Sequence, residues 1–174
     1  MNTLVVTERA GAGAGSSASA TVREYLTFAV AGQDYGIDIL AVREIRGWTP
    51  ENPLPNCPAA VRGVINLRGQ VVPIYDLRIR LGAEASVPSA IHVVIVVEAA
   101  AGFYGLLVDA VSDILSASDS ELQPVPETGM DEEHAFLTAL LARPDRMVSL
   151  LNLDLLVRGT PAALPEHSPA LIAA

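Results

Sequence analysis

Short runs of β-branched and aromatic residues, cut by turn residues and single charges, fill the middle of the chain, and the clearest of them spans Val61 to Leu81. Val64, Ile65 and Leu67 lead into Arg68-Gly69, and Val71, Val72, Ile74 and Tyr75 lead out again. Such side chains suit a pleated, half-buried surface. The pattern predicts a hairpin with Arg68-Gly69 at its tip, where Gly69 supplies the positive φ of a tight turn. Pro73 has no ladder N–H, which places the second strand at an edge or beside a bulge. Asp76 stands where it can cap a short helix carrying Leu77 and Leu81.

The rest of the ordered chain reads in the same way. Tyr25 to Val30 alternates, Ala31 to Asp34 turns, and Tyr35-Gly36-Ile37 returns as a hairpin. Leu40 to Ile45 is expected to make a short helical turn with Arg43 and Glu44 outward, and the prolines between Thr49 and Pro58 exclude regular structure. Ile91 to Val97 and Phe103 to Val108 form a further hairpin. Asp119 to Met130 is expected to be an irregular connection, Asp131-Glu132-Glu133-His134 to open a helix, and Met147 to Leu151 to be the last strand.

An internal repeat fixes the architecture. Tyr35-Gly36-Ile37-Asp38-Ile39-Leu40-Ala41-Val42-Arg43-Glu44-Ile45 aligns without a gap on Tyr104-Gly105-Leu106-Leu107-Val108-Asp109-Ala110-Val111-Ser112-Asp113-Ile114, with Glu44 opposite Asp113. Val72 to Leu77 resembles Val148 to Leu153. Two copies of one small strand unit imply two similar lobes, and units this small protect their edges by closing into barrels. The fold class expected is mostly β, with two tandem small barrels and a few short helices. The body should run over 22–158, with lobes roughly at 22–84 and 90–158 and strands free to exchange between them. The Gly/Ala/Ser-rich segment 1–21 and the Pro/Ala-rich segment 159–174 read as tails.

Charge changes this picture in one place. The chain carries a formal net charge of -9, yet Arg62, Arg68, Arg78 and Arg80 crowd one stretch against Asp76 alone, while Gly82 to Ala142 holds acids and no arginine. A hairpin tip is where a scaffold presents a side chain, which singles out Arg68. All eleven basic residues are arginine, so a phosphate-gripping or Schiff-base lysine is excluded. Cys57 is the single cysteine, His92, His134 and His167 are scattered, and no serine sits in a nucleophile elbow. No catalytic constellation, metal site or cofactor site can be assembled. A sequence pI of about 4.6 argues against a nucleic-acid binder, the weaker reading of a small-barrel chain. With no apolar run near the ~20 residues of a membrane helix and no secretory pattern at the N-terminus, the chain is expected in the cytoplasm.

The segments YGIDILAVREIRG at 35–47, VRGVINLRGQVVPIYDLR at 61–78 and YGLLVDAVSDIL at 104–115 resemble the CheW family of bacterial chemotaxis coupling proteins, and the likeness runs from about Glu24 to Val157. The resemblance implies two SH3-like barrels, no catalysis, and an adaptor bridging the cytoplasmic tips of methyl-accepting chemoreceptors and a CheA-type histidine kinase, with copies of itself in ring assemblies. A related pathway such as pilus motility would differ only in the receptor. Carried over residue by residue, the receptor-binding groove would use Ile39, Val42, Glu44, Arg68, Val111 and Ile114, with Gly63 at a position tied to coupling. An apolar cleft for the apolar face of a receptor helix, with Glu44 and Arg68 fixing its register, fits that role.

Overall fold

A computed structural model describes residues 19–85, 87–127 and 135–158. The expected tails therefore lie outside the described residues, apart from a few positions beside Val22 and Arg158, and so does the Asp131-Glu132-Glu133-His134 cluster.

Eleven strands and two short helices are assigned among these residues: β1 (Val22–Val30), β2 (Gln33–Asp38), β3 (Val42–Gly47), β4 (Val61–Leu67), β5 (Gln70–Asp76), α1 (Leu77–Arg80), β6 (Val93–Ala99), β7 (Gly102–Val108), β8 (Ala110–Ser118), β9 (Leu122–Gln123), β10 (Leu137–Ala142), β11 (Met147–Leu151) and α2 (Leu153–Leu156). One sheet has the order β3-β6-β7-β5-β4 and the other β8-β1-β2-β11-β10-β9. The β6–β7 hairpin of the second repeat thus completes the sheet of the first, and the β1–β2 hairpin of the first completes the sheet of the second. We call the former barrel I and the latter barrel II.

The exchange explains the repeated Tyr-Gly pair. In barrel I, β5 runs parallel to β7 with Ile74 beside Gly105, and in barrel II, β11 runs parallel to β2 with Leu150 beside Gly36. A Cβ at Gly105 would lie 2.4 Å from Ile74 Cδ1, and one at Gly36 would lie 2.8 Å from Leu150 Cδ2. Each glycine leaves room for the branched side chain of the crossing strand.

Packing separates into three clusters. Ile65, Val72, Ile74, Val94, Val96 and Leu107 fill barrel I, while Tyr25, Ala117, Leu141, Val148 and Leu150 fill barrel II. A third, larger cluster lies between them and draws on both repeats, among others Phe28 and Ile37 from the first hairpin and Ile95, Val97 and Leu106 from the exchanged one. Asp76 caps α1 through the Arg78 N–H, and Asn152, its counterpart in the repeat, caps α2 through the Leu155 N–H.

Several local expectations need correction. The helical turn is confined to Ile39–Ala41, held by the Asp38 carboxylate on the Leu40 N–H, and Val42 to Gly47 is a strand. Along it Arg43 is exposed and Glu44 half-buried, and a bulge opposite β6 falls between Val42 and Glu44. The 119–123 segment is a 3-10 turn followed by β9 rather than irregular chain. Past the acidic cluster, Leu137 to Ala142 is a strand, not helix. Pro73 stands in a central strand and not at an edge, and so takes the second of its two expected settings, beside a bulge: the β4–β5 register shifts between Val61 and Gly63, next to the Val64–Pro73 pair. Val64, the partner of Pro73, directs both N–H and C=O to Asn52, so the Val64–Pro73 pair uses no rung that a proline would break.

Candidate functional site: an apolar strip between two charged latches

The four arginines of the basic stretch have different fates. Arg62 donates to Glu51 at 2.8 Å and to the buried Asp76 at 3.3 Å, fastening the 48–60 loop to the barrel. Arg78 grips Asp109 with two hydrogen bonds, of 2.8 and 2.7 Å. This partner holds the Asp109 carboxyl below its ordinary range, an effect the Ala31 N–H reinforces and burial opposes. Arg80 donates to the Leu156 carbonyl and lies over the Phe136 ring. Arg68 alone of the four stays in solvent, with its side chain 82% exposed. It occupies a two-residue turn in which Arg68 and Gly69 both have positive φ, of 52° and 86°, and Asn66 Oδ1 receives the Gly69 N–H.

Arg68 lies 3.4 Å from Glu44 Oε2, an ion pair across the seam where the turn between β4 and β5 meets the edge strand β3. The alignment is not that of a hydrogen bond. Glu44 Oε2 is shielded from solvent and has no hydrogen-bond partner among the described residues. Barrel II carries the equivalent seam between β8 and the turn joining β10 to β11. There Asp113 takes Arg146 Nη2 at 2.7 and 2.9 Å. The fully buried Thr27 hydroxyl accepts the Asp113 N–H and reaches its carbonyl and carboxylate oxygens as a donor. The Thr27 bond first, then Arg146, lowers the Asp113 pKa.

Between the seams runs apolar surface. Ile39, Val42 and Val111 are partly buried against the shared central cluster. Val42 pairs with Val97 and Val111 with Phe28, so both edge strands lean on the same core. Ile45 and Ile114, equivalent in the repeat, pair with the buried Ile95 and Leu26 yet remain 46% and 54% exposed. Leu40 adds a third exposed apolar side chain, at 79%. Ile39, Val42 and Val111 thus meet at the shared core, Glu44 and Arg68 meet across the barrel I seam, and Ile114 stands next to Asp113 at the barrel II seam. Gly63 is elsewhere, buried beneath the 48–60 loop, where a Cβ would lie 2.3 Å from the Asn52 carbonyl oxygen.

Arg146, Thr27 and Ile45 escaped the sequence reading. Extending the repeat from Glu44 and Asp113 into the following hairpins would have set the Arg68 turn against the turn holding Arg146, and Ile45 was already opposite Ile114. Nothing in the sequence marks Thr27. No group of three or more His, Cys, Asp or Glu side chains among the described residues could hold a metal ion, and no described helix is long and apolar enough to cross a membrane.

Comparison with known proteins agrees with this architecture. The family model for the CheW-like domain matches residues 24–160. The chain is 51% identical over 132 residues to the chemotaxis protein CheW of Rhizobium meliloti, covering 76% of this chain and 85% of that one. It is 37% identical over 145 residues to the chemotaxis protein CheW of Klebsiella aerogenes, covering 83% and 87%. The crystal structure of the scaffolding protein TtCheW from Thermoanaerobacter tengcongensis superposes with a TM-score of 0.72 at 29% identity, covering 79% of this chain and 94% of that one. Two exchanged barrels, the duplicated edge strands and a match over nearly the whole described body lead to one assignment: the chain belongs to the CheW-like domain family.

Proposed function

We propose that this chain is a non-enzymatic chemotaxis adaptor that seats the helical cytoplasmic tip of a methyl-accepting chemoreceptor on its inter-barrel strip and links it to a CheA-type histidine kinase. Through these partners, and through further copies of itself in ring assemblies, it is recruited to receptor arrays at the membrane. Ile39, Val42, Val111 and Ile114 form the apolar seat, and Glu44 and Arg68 set the register of the helix lying in it. Gly63 acts indirectly, by fixing the loop beside the β4–β5 hairpin.

The observation that carries this reading is the fate of Arg68. Its three neighbours in the basic stretch are spent on internal contacts, whereas Arg68 is held out at a hairpin tip against Glu44, whose strand also carries exposed Ile45 and half-buried Val42. A guanidinium with open donors beside an apolar strip is a common anchor for an amphipathic helix. Arg68→Glu is expected to weaken capture of receptor cytoplasmic fragments at least tenfold while leaving the circular dichroism spectrum intact. Unchanged capture would remove Arg68 from the site. Reconstituted kinase activity with and without the chain tests the coupling itself, and a chain that left receptor-dependent phosphorylation unaltered would overturn it.

A further inference from the structure

We propose, resting on the reading above, that the unequal latches make the strip read charge on one side only, so that a bound helix turns its acidic flank to barrel I and an apolar flank to barrel II. Asp113 and Arg146 are the positioning residues, because their mutual capture silences the cation on the barrel II side.

The geometry is as follows. In barrel II both arginines of the turn between β10 and β11 are committed. Arg146 is bound to Asp113 through 2.7 and 2.9 Å contacts, and Arg143 donates to Glu121 at 2.8 Å and to the Ser116 carbonyl at 2.5 Å. Their side chains are 21% and 25% exposed. In barrel I the equivalent turn offers Arg68 at 82% exposure, 3.4 Å from a carboxylate oxygen to which it makes no hydrogen bond. A carboxylate arriving beside Arg68 gains charge-assisted hydrogen bonds from donors that are unused. At the barrel II seam the same carboxylate would meet arginines whose charge is already shared with Asp113 and Glu121, and would gain little. At the two seams the apolar contacts match, Ile45 and Val42 answering Ile114 and Val111 through the repeat, whereas exposed Leu40 and half-buried Ile39 of barrel I align with Asp109 and the buried Val108. At the seams themselves apolar packing does not separate the two ways round, and the choice there falls to the charges. The expected preference is on the order of tenfold.

The test uses the full chain with methyl-labelled isoleucine and a soluble helical hairpin from the cytoplasmic tip of a methyl-accepting chemoreceptor, spin-labelled on its acidic flank. In the unaltered chain the label should broaden the Ile45 methyl and spare Ile114. Asp113→Asn keeps an oxygen for Thr27 but releases Arg146, and should broaden both. Arg146→Gln should change affinity less than twofold, against a loss of about tenfold for Arg68→Gln. Equal broadening in the unaltered chain, or a one-sided pattern retained in folded Asp113→Asn, overturns the proposal while leaving receptor binding in place. If Asp113→Asn loses the native methyl spectrum, equal losses from Arg68→Gln and Arg146→Gln overturn it instead. Absence of any binding overturns this inference and the receptor assignment together.

Discussion

Barrel I and the first five strands of barrel II follow one path, β3-β6-β7-β5-β4 against β8-β1-β2-β11-β10. Packing features recur almost residue for residue: a glycine beneath a crossing branched side chain, a capped short helix after the last strand, and an edge-strand bulge opposite Val96 in one copy and Thr27 in the other. What does not recur is the covering of the seam. Barrel I is overlain by the 48–60 loop and closed by a slack, exposed ion pair, whereas barrel II has β9 and an aligned arginine latch. The comparison teaches that the duplicated scaffold is maintained by its core and that the copies have been specialised at their rims.

The largest expected effect breaks the comparison at the loop. Gly63 and Ala139 occupy the same place in the two copies, each just past a register shift and paired with Ile74 or Leu150. Only Gly63 lies under another backbone, with φ 153° and the Asn52 carbonyl where a Cβ would go. Gly63→Ala must displace that loop or abandon the Asn52 bridge, and should cost about 3 kcal/mol or more in urea denaturation. Ala139→Gly should cost about 1 kcal/mol or less. Equal losses would mean that the loop is not what distinguishes the two sites.

A second pair sharpens the comparison inside the barrels. A Cβ at Gly105 meets Ile74 Cδ1 at 2.4 Å and Val94 Cγ1 at 3.0 Å. At Gly36 the matching neighbours stand farther off, Leu150 Cδ2 at 2.8 Å and Val148 Cγ1 at 3.2 Å. Gly105→Ala should therefore cost about 2 kcal/mol and Gly36→Ala about 1 kcal/mol. A reversed order in thermal unfolding would show that barrel II is the more tightly packed copy.

Much of this plan was legible in the sequence because hairpins are local. The Arg68-Gly69 turn, the Tyr25–Ile37 hairpin, the Asp76 cap and the Glu44–Asp113 equivalence all depend on residues close in the chain or on the repeat itself. The strands missed were β3, read as part of a helical turn, the two-residue β9, and β8 and β10. Ala110 to Ser118 is rich in Ser, Ala and Asp, and Leu137 to Ala142 in Leu and Ala, compositions with weak strand preference that tertiary pairing overrides. The seams were illegible for a different reason. Whether an arginine is spent or free depends on partners in a distant element, such as Asp109 for Arg78 or Asp113 for Arg146, and a local charge count treats all four arginines of the basic stretch alike.

The tips of the exchanged hairpins give the next contrast. The Ala31 N–H is held by Asp109, itself gripped by Arg78, while the matching Ala100 N–H is held by Asp154. The Asp109 pKa is depressed in the folded chain, chiefly by Arg78, so this tie stabilises fully above the unfolded carboxylate value of about 4 and is lost as pH falls through the lower folded value. Arg78→Met removes the main cause of the depression. It should reduce stability at neutral pH by about 1 kcal/mol and leave a shallower loss on acidification below about pH 4. An acid limb as steep as that of the unaltered chain would mean that Asp109 is held by its backbone donor alone.

The smallest effects belong to the latches, where stability and binding should part company. Arg68 makes a screened contact with no hydrogen bond, so Arg68→Gln should change folding stability by no more than about 0.5 kcal/mol. Glu44→Gln should be neutral or slightly stabilising, because it removes a negative charge from a shielded oxygen that accepts nothing. Arg146→Gln breaks two aligned contacts to a carboxylate that also engages the buried Thr27, and should lower the urea midpoint by more than either barrel I substitution. The asymmetry follows from the proposed division of labour: the arginine that recognises a partner must be left unsatisfied in the free chain, and the one that only closes a barrel need not be. A larger stability loss for Arg68→Gln than for Arg146→Gln would reverse that assignment and make the Arg68 turn a structural clasp.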